Sequence, residues 1–291
     1  MVDTELLAAF GPLSQVARSL IEKISEAITG FAKPWQTRRV ARAEADAKII
    51  LAKADVEVDE ISARATVRLF REAQFHQSNI EAVIGAALPL LLEAANPANM
   101  DNDWISNFFT KCRIASNEEM QSFWASILAG EANKPGSFSR RTVAVMSELD
   151  KNEARQFELV CSIAAKISTV EGDSSPFFIE AQPLVLGPFA FYENLGLYSS
   201  IFGDLDTAGL LEYTNIGFGP RGEHPSFSIE HNGGRLHISG MSERKLPLML
   251  GRVSFSKAGK ELAPICHVKP ADGLLEHLEQ AWIAEGFKRL P

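Results

Sequence analysis

Residues 118–142 read EEMQSFWASILAGEANKPGSFSRRT, and this stretch decides the fold of the region around it. Its first half repeats apolar side chains at steps of three and four residues, which is the spacing of an amphipathic helix. Pro135-Gly136 then marks a turn, and Ser139 is placed to cap a second helix. We therefore predict two helices joined by a tight turn. The apolar side of the first helix consists of Met120, Phe123, Trp124, Ile127 and Leu128.

Local signals also suggest where these helices begin and end. Ser116-x-x-Glu119 has the form of a capping box for the first helix, and Glu119 would then bond the N-terminal backbone. Gly130 is a plausible terminator of the same helix. Asp103 is the expected cap of the preceding helix, and Asp150 starts a helix that we expect to run through residue 167.

The turn itself admits two interpretations. Arg141 can pair with Glu131 and lock the turn as a structural clamp. Alternatively, Ser139, Arg140 and Arg141, together with Asn133, can hold an anion or a partner carboxylate at a helix N-terminus. In either case we expect Trp124 to be a buried core residue that contacts Phe108 and Phe109 of the preceding helix, since large aromatic side chains dominate protein cores.

The composition is that of an ordinary globular protein and does not indicate a surface specialised for binding nucleic acid. The chain has 291 residues, enough for about two domains. Apolar residues make up 46% of the chain and charged residues 23%, which is ordinary for a soluble protein. The formal charge of −8 argues against nucleic acid as a partner, because nucleic-acid-binding domains are usually basic.

The cysteines, the histidines and the absence of known catalytic motifs limit the chemistry that we expect of this chain. The three cysteines lie far apart without a CxxC pair, which favours a reducing cytoplasm over a zinc module. Neither a signal peptide nor an ordinary transmembrane segment is predicted. The histidines His224, His231 and His237 lack neighbouring ligands at metal-binding spacing. No phosphate loop, nucleophile elbow or HExxH motif is present, so we expect a non-enzymatic protein with no cofactor and no metal.

The N-terminal region, residues 1–35, is predicted to form amphipathic helices. A basic cluster with an aromatic residue follows directly. This composition is typical of an anchor at a membrane interface, and the alternative is a helix junction with a solvated basic face. The cluster consists of Lys33, Trp35, Arg38, Arg39 and Arg42.

Residues 36–75 predict one long helix, because they are rich in Ala and in charges of both signs and contain neither Gly nor Pro. Arg68 and Glu72 are spaced as an ion pair on such a helix. A thin apolar stripe along a long helix usually contacts another helix, often from a second copy. The alternative is a solvated helix lying on its own domain. The stripe consists of Ile50, Val58, Ile61 and Leu69.

The rest of the chain predicts a helical domain over residues 76–168 and an α+β domain over residues 169–291. In the latter, two alternating segments flank Asn232-Gly233-Gly234, which is a hairpin signal. A helix over 197–213 precedes the hairpin, while a strand entering a helix (253–266) and a final helix (274–290) follow it. This order resembles a winged helix. The predicted fold is therefore mostly α, with long N-terminal helices, a compact helical domain and a C-terminal winged-helix-like α+β domain.

Several short stretches carry a family resemblance. The first set consists of Gln77 to Glu81, Asp103-Trp104-Ile105, Phe108-Phe109, Cys112 and residues 118–142. On these residues the chain resembles the bacterial domain of unknown function 2806 family from about Arg38 to Phe157.

The second set consists of Trp124-Ala125, Leu128-Ala129 and Leu149 to Ala154. With these residues the overall layout is similar to the abortive-infection alpha family, which implies a role in antiphage defence but supplies no catalytic mechanism.

Together these features favour a cytoplasmic, self-associating scaffold or sensor protein that recognises a protein partner through its C-terminal half. One alternative is a peripheral membrane effector at the inner membrane that acts through residues 4–42. Another is DNA binding through the winged helix. The expected recognition helix, 197–211, carries Asp204 and Asp206 and no Lys or Arg, which disfavours contact with phosphates.

Overall fold

The structure is a computed structural model, in which helices predominate and the C-terminal half adds small antiparallel sheets. The predicted fold class, mostly α with a C-terminal α+β region, is therefore confirmed. The chain divides into two compact units between Ser147 and Glu148, and the four domain ranges inferred from the sequence stay predictions. The residues that the structure describes are 13–28, 60–169, 178–219, 226–243, 245–266 and 268–291.

The first unit is built from helices. Ser14 caps the first of them, because its side chain accepts the N–H of Ala17 at 3.2 Å. The same helix packs near the third, where the Ser106 hydroxyl donates to the carbonyl of Ala27 at 3.1 Å. The helices are α1 (Gln15–Ala27), α2 (Glu60–Ala87), α3 (Asn102–Cys112), α4 (Glu118–Asn133) and α5 (Arg140–Glu148).

An aromatic cluster joins α3 to α4. Trp124 is 2% exposed, and its ring meets that of Phe108 edge-on with centroids 5.2 Å apart. Trp104 stacks on the other side of Phe108 at 5.1 Å. The prediction that Trp124 is a core residue in contact with Phe108 is confirmed.

The predicted helix ends are partly wrong. Asn117, not Ser116, caps α4, since its side chain accepts two backbone N–H groups of the first turn. Asp101 rather than Asp103 caps α3. Gly130 does not end α4, which continues to Asn133. A Cβ on Gly130 would lie 2.6 Å from the ring of Phe138, so this glycine makes room for an aromatic side chain rather than terminating the helix.

The second unit combines short helices with two antiparallel sheets. The strands are β1 (Ala164–Thr169), β2 (Phe178–Pro183), β3 (Leu211–Phe218), β4 (Ser226–His231), β5 (Gly234–Ser239) and β6 (Gly251–Phe255). One sheet has the strand order β2-β1-β4-β5, and the other pairs β3 with β6. The helices are α6 (Lys151–Ser162), α7 (Ala190–Asn194), α8 (Ser199–Thr207), α9 (Lys257–Leu262) and α10 (Leu274–Ala284).

Three helices of this unit are shorter than predicted. The predicted helix over 150–167 ends at Ser162 and gives way to β1. The helix over 197–213 stops at Thr207, because Gly209 adopts a positive φ of 80° and β3 begins at Leu211. The last helix ends at Ala284, just before Gly286, whose φ is 91°.

The predicted hairpin forms at Asn232-Gly233, where both residues have positive φ. Its strands β4 and β5 join the sheet of β1 and do not pair with β3 or β6. The strand that pairs with β6 is β3, with Leu211 opposite Phe255. The hairpin therefore belongs to the sheet of β1 instead of joining β6, the strand that enters α9, as the sequence order suggested.

Candidate functional site

The turn between α4 and α5 is organised by one buried carboxylate. Glu131 is 2% exposed, and its two oxygens accept the backbone N–H groups of Gly136 at 2.6 Å and Phe138 at 2.9 Å. Gly136 has a φ of 88°, a conformation that favours glycine. The Trp104 indole N–H donates to the carbonyl of Phe138 at 2.7 Å. The turn is thus held by α4 from one side and by α3 from the other.

Asn133 is used inside the fold. Its side-chain oxygen accepts the N–H of Leu92 at 2.8 Å, and its amide donates to the carbonyl of Leu90 at 3.1 Å. These bonds secure the segment after α2, which ends in a tight 3-10 turn at Leu88–Leu90 around Pro89. Asn133, predicted as a partner contact, therefore has its polar atoms engaged by the backbone of its own unit.

Ser139 and Arg140 lie side by side, which an anion site at this turn would require. The Ser139 hydroxyl accepts the N–H of Thr142 at 3.3 Å and so caps α5. Both Ser139 and Arg140 line a cavity of about 350 Å³. Asp101 and Glu131 line the same cavity, and two carboxylates disfavour an anionic ligand.

Arg141 differs from its prediction. Its side chain is exposed and does not line the cavity, and in the part of the chain that the structure describes it forms no ion pair with Glu131. Backbone N–H groups take the place that the guanidinium was expected to occupy. The predicted pair of Arg141 with Glu131 is therefore wrong, and the peptide backbone rather than the guanidinium closes the turn on Glu131.

The long helix α2 carries a second candidate surface. Ile61 is 63% exposed and Leu69 is 61% exposed, and Arg68 and Glu72 form the predicted ion pair at 3.8 Å. Five turns of an α-helix span 18 residues, so residues 18 apart lie on the same face. Three apolar residues of this part of α2, of which Ile61 and Leu69 are exposed and Ala65 is half-buried, each precede by 18 a residue that is buried in the first unit, where α2 packs against α4. The pairs are Ile61 with Asn79, Ala65 with Val83 and Leu69 with Ala87.

The remaining predicted site residues either lie outside the described part of the chain or have polar atoms that are bonded within the fold. His231 contacts the carbonyl oxygens of Ala164 and Ala271 through its two ring nitrogens, at 3.0 and 2.9 Å. Over the residues described, no cluster of three or more His, Cys, Asp or Glu side chains is arranged for a metal ion. None of the helices described is both long enough and apolar enough to cross a bilayer. Outside the described residues lie Lys33, Trp35, Arg38, Arg39, Arg42, Ile50, Val58 and His224.

A cavity of about 710 Å³ in the second unit was not predicted from the sequence. Small residues and apolar side chains make up most of its wall, and the segment before α7, the helix α8 and the strands β3 and β6 contribute them. The available signal was the number of glycines after residue 185, but their convergence depends on the topology. The lining includes Gly187, Ser199, Gly203, Gly217 and Gly251 among the small residues, Val185, Leu186, Phe189, Phe202, Met249 and Val253 among the apolar ones, and Tyr213, Arg252 and Glu285.

Comparison with known proteins places the chain in a family. A family model described as "Protein of unknown function (DUF2806)" matches residues 63–279. This match covers most of the chain and both structural units, and so extends beyond the stretch whose residues carry the resemblance. No curated protein and no solved structure matches the chain.

Proposed function

The chain belongs to the DUF2806 family, and on that premise we propose that it is a non-enzymatic, self-associating scaffold or sensor protein in bacterial antiphage defence. The observation that carries the proposal is the exposed apolar stripe on α2. Between residues 61 and 78 no residue whose burial is described is buried, whereas the end of the same helix is packed into the first unit. The first half of α2 is therefore a stem. Its apolar face lies in line with the buried face of the second half of the same helix.

A second copy of this stem is the partner that best fits the stripe. The apolar positions Ile61, Ala65 and Leu69 recur at steps of four and form a narrow seam, and charges of both signs flank it. Narrow apolar seams with charged edges are typical of helix pairs. Burying an aliphatic side chain such as Ile61 contributes about 1.5–3 kcal/mol, which favours association, while the lost freedom of the two copies opposes it.

The second unit supplies the proposed recognition surface. Helix α8 leads into β3, which pairs with β6, and β6 leads into α9; the proposed winged-helix-like domain rests on these elements and not on the hairpin of β4 and β5. Helix α8 contains Asp204 and Asp206 and no Lys or Arg. An acidic helix repels a phosphate backbone, so we propose a protein partner rather than DNA for this domain.

The proposed role in defence rests on the resemblance of the sequence layout to the abortive-infection alpha family, together with the stem. Through self-association, a sensor protein that detects one event can respond as an assembly of several copies. The trigger would act on the equilibrium between the single chain and the assembly. A ligand or partner can shift such an equilibrium only if it binds the two states with different affinity.

The test compares two substitutions on the same helix. Ile61→Asp places a charge in the seam, and Gln74→Asp places one on an exposed position about 140° away around the helix. Light scattering at tens of micromolar should show at least a dimer for the wild type and for Gln74→Asp, and a monomer for Ile61→Asp with an unchanged melting temperature. In bacteria challenged with phage, only Ile61→Asp should lose protection.

Other outcomes assign a different function. A wild-type chain that is strictly monomeric at these concentrations removes self-association from the proposal. Flotation of that monomer with anionic vesicles, reversed by salt, would instead support the peripheral membrane effector at the inner membrane. Retention on duplex DNA that weakens with salt would support the DNA-binding alternative.

A further inference from the structure

We propose that the cavity between α8, β3 and β6 binds a small organic molecule with an apolar body and a single carboxylate. This inference is independent of self-association, since all the lining residues belong to the second unit. The cavity volume of about 710 Å³ falls within the range of roughly 300–1,000 Å³ that is usual for small-molecule sites. Apolar side chains with a few polar groups form its lining, as such sites require.

Glycines keep this cavity open. A Cβ on Gly203 would meet no atom within 4 Å, so this position of α8 faces empty space. Gly217 has a φ of 80°, and a Cβ there would lie 2.6 Å from the methyl group of Met249. Gly251 has a φ of 136° and lies so close to Val185 that a Cβ would be 3.1 Å from its carbonyl oxygen. A side chain at Gly251 would therefore crowd the backbone of Val185, which lines the same cavity.

The polar groups of the lining point to an acid. The Arg252 side chain is exposed and forms no hydrogen bond or ion pair within the described ranges, and the same is true of the Tyr213 hydroxyl. A guanidinium binds a carboxylate through two parallel hydrogen bonds. Glu285 is the lining residue with a negative charge. Its charge disfavours a second anionic group on the ligand, which restricts the ligand to a monocarboxylate.

The experiment uses the full chain and two probe acids, 1-naphthaleneacetate and decanoate, titrated by calorimetry. The neutral analogue 2-(1-naphthyl)ethanol has nearly the same shape as the aromatic acid and lacks its charge. We expect at least one of the acids to bind with a dissociation constant below the millimolar range. If 1-naphthaleneacetate is that acid, it should bind about tenfold or more tightly than the alcohol, as expected for a charge-assisted pair.

Substitutions locate the binding in the cavity. Gly203→Phe fills the space that this residue faces, and Ser200→Phe adds the same ring on the same helix outside the lining. Gly203→Phe should weaken binding at least tenfold without lowering the melting temperature, because glycine is a poor helix former. Ser200→Phe should bind like the wild type. Arg252→Gln should weaken the acid about tenfold and leave the alcohol unchanged, while Glu285→Gln should bind the acid at least as tightly.

Three results would overturn the proposal. The first is the absence of binding of both acids by the wild type at millimolar concentration. The second, if 1-naphthaleneacetate binds, is an affinity for the neutral alcohol that equals or exceeds that for this acid. The third is equal weakening by Gly203→Phe and Ser200→Phe. Should Gly203→Phe fail to fold, the exposed Arg252 still provides the test through Arg252→Gln. Self-association is read separately by light scattering, so failure here leaves that proposal standing.

Discussion

Replacing Glu131 by glutamine tests whether the peptide backbone closes the turn between α4 and α5. The carboxylate accepts two backbone N–H groups, at 2.6 and 2.9 Å, whereas an amide offers one oxygen and turns an NH₂ group toward the other donor. An N–H that loses its partner in a buried site costs about 1–3 kcal/mol, and the bond that remains loses its charge assistance, about 1 kcal/mol. Glu131→Gln should therefore lower the free energy of unfolding by about 2–4 kcal/mol.

Thermal unfolding followed by circular dichroism measures this loss. For a unit of this size each kcal/mol corresponds to roughly 2–4 °C, so the transition of the first unit should fall by about 4–16 °C. Arg141→Gln is the matched control, because the side chain is exposed and a surface substitution changes stability by less than about 0.5 kcal/mol. Equal destabilisation by the two variants would refute the reasoning, since the turn would then depend on the guanidinium. Loss of phage protection in Arg141→Gln, with melting like the wild type, would identify the exposed arginines as a partner contact.

Two further predictions concern the cores of the two units. Trp124→Ala should cost about 3–5 kcal/mol in urea unfolding, as for other buried aromatic truncations, because the ring is 2% exposed and meets that of Phe108; a loss below about 1 kcal/mol would contradict the packing. Burial raises the pKa of Tyr192 from 10.0 to about 12, so its contribution to stability is present below pH 10 and is lost as the pH rises to 12. Tyr192→Phe should therefore show a shallower fall in unfolding free energy between pH 10 and 12 than the wild type, and parallel curves would refute this.

The features that the sequence predicts correctly have local causes. The hairpin at Asn232-Gly233 follows from two residues that tolerate positive φ, and Asp150 caps α6 through a complete capping box with Glu153. Where two candidates stand side by side, local rules cannot choose between them. Asn117 caps α4 although Ser116 fits the motif, because the choice depends on how the preceding loop enters the helix.

The features that the sequence misses depend on distant contacts. Gly130 has the composition of a helix terminator, but the ring of Phe138, eight residues later, requires the space beside it. Glu131 has the spacing of an ion-pair partner for Arg141, yet the positive φ of Gly136 turns two N–H groups toward it first. The cavity of the second unit needs glycines from strands 34 residues apart, such as Gly217 and Gly251, and no local pattern links them.

Residues 18 apart on α2 lie on the same face, so a rotation of the exposed part of this helix also turns its packed part. The stem and the packed end form one continuous helix, so a rotation imposed at Ile61 reaches Asn79 about 27 Å away without a hinge to absorb it. Asn79 donates to the carbonyl of Arg113 at 2.8 Å, and beyond the end of the helix Leu90 and Leu92 bond Asn133. A rotation of the exposed part of α2 would thus reach the backbone of Arg113, which Asn79 bonds, because the helix between them is continuous.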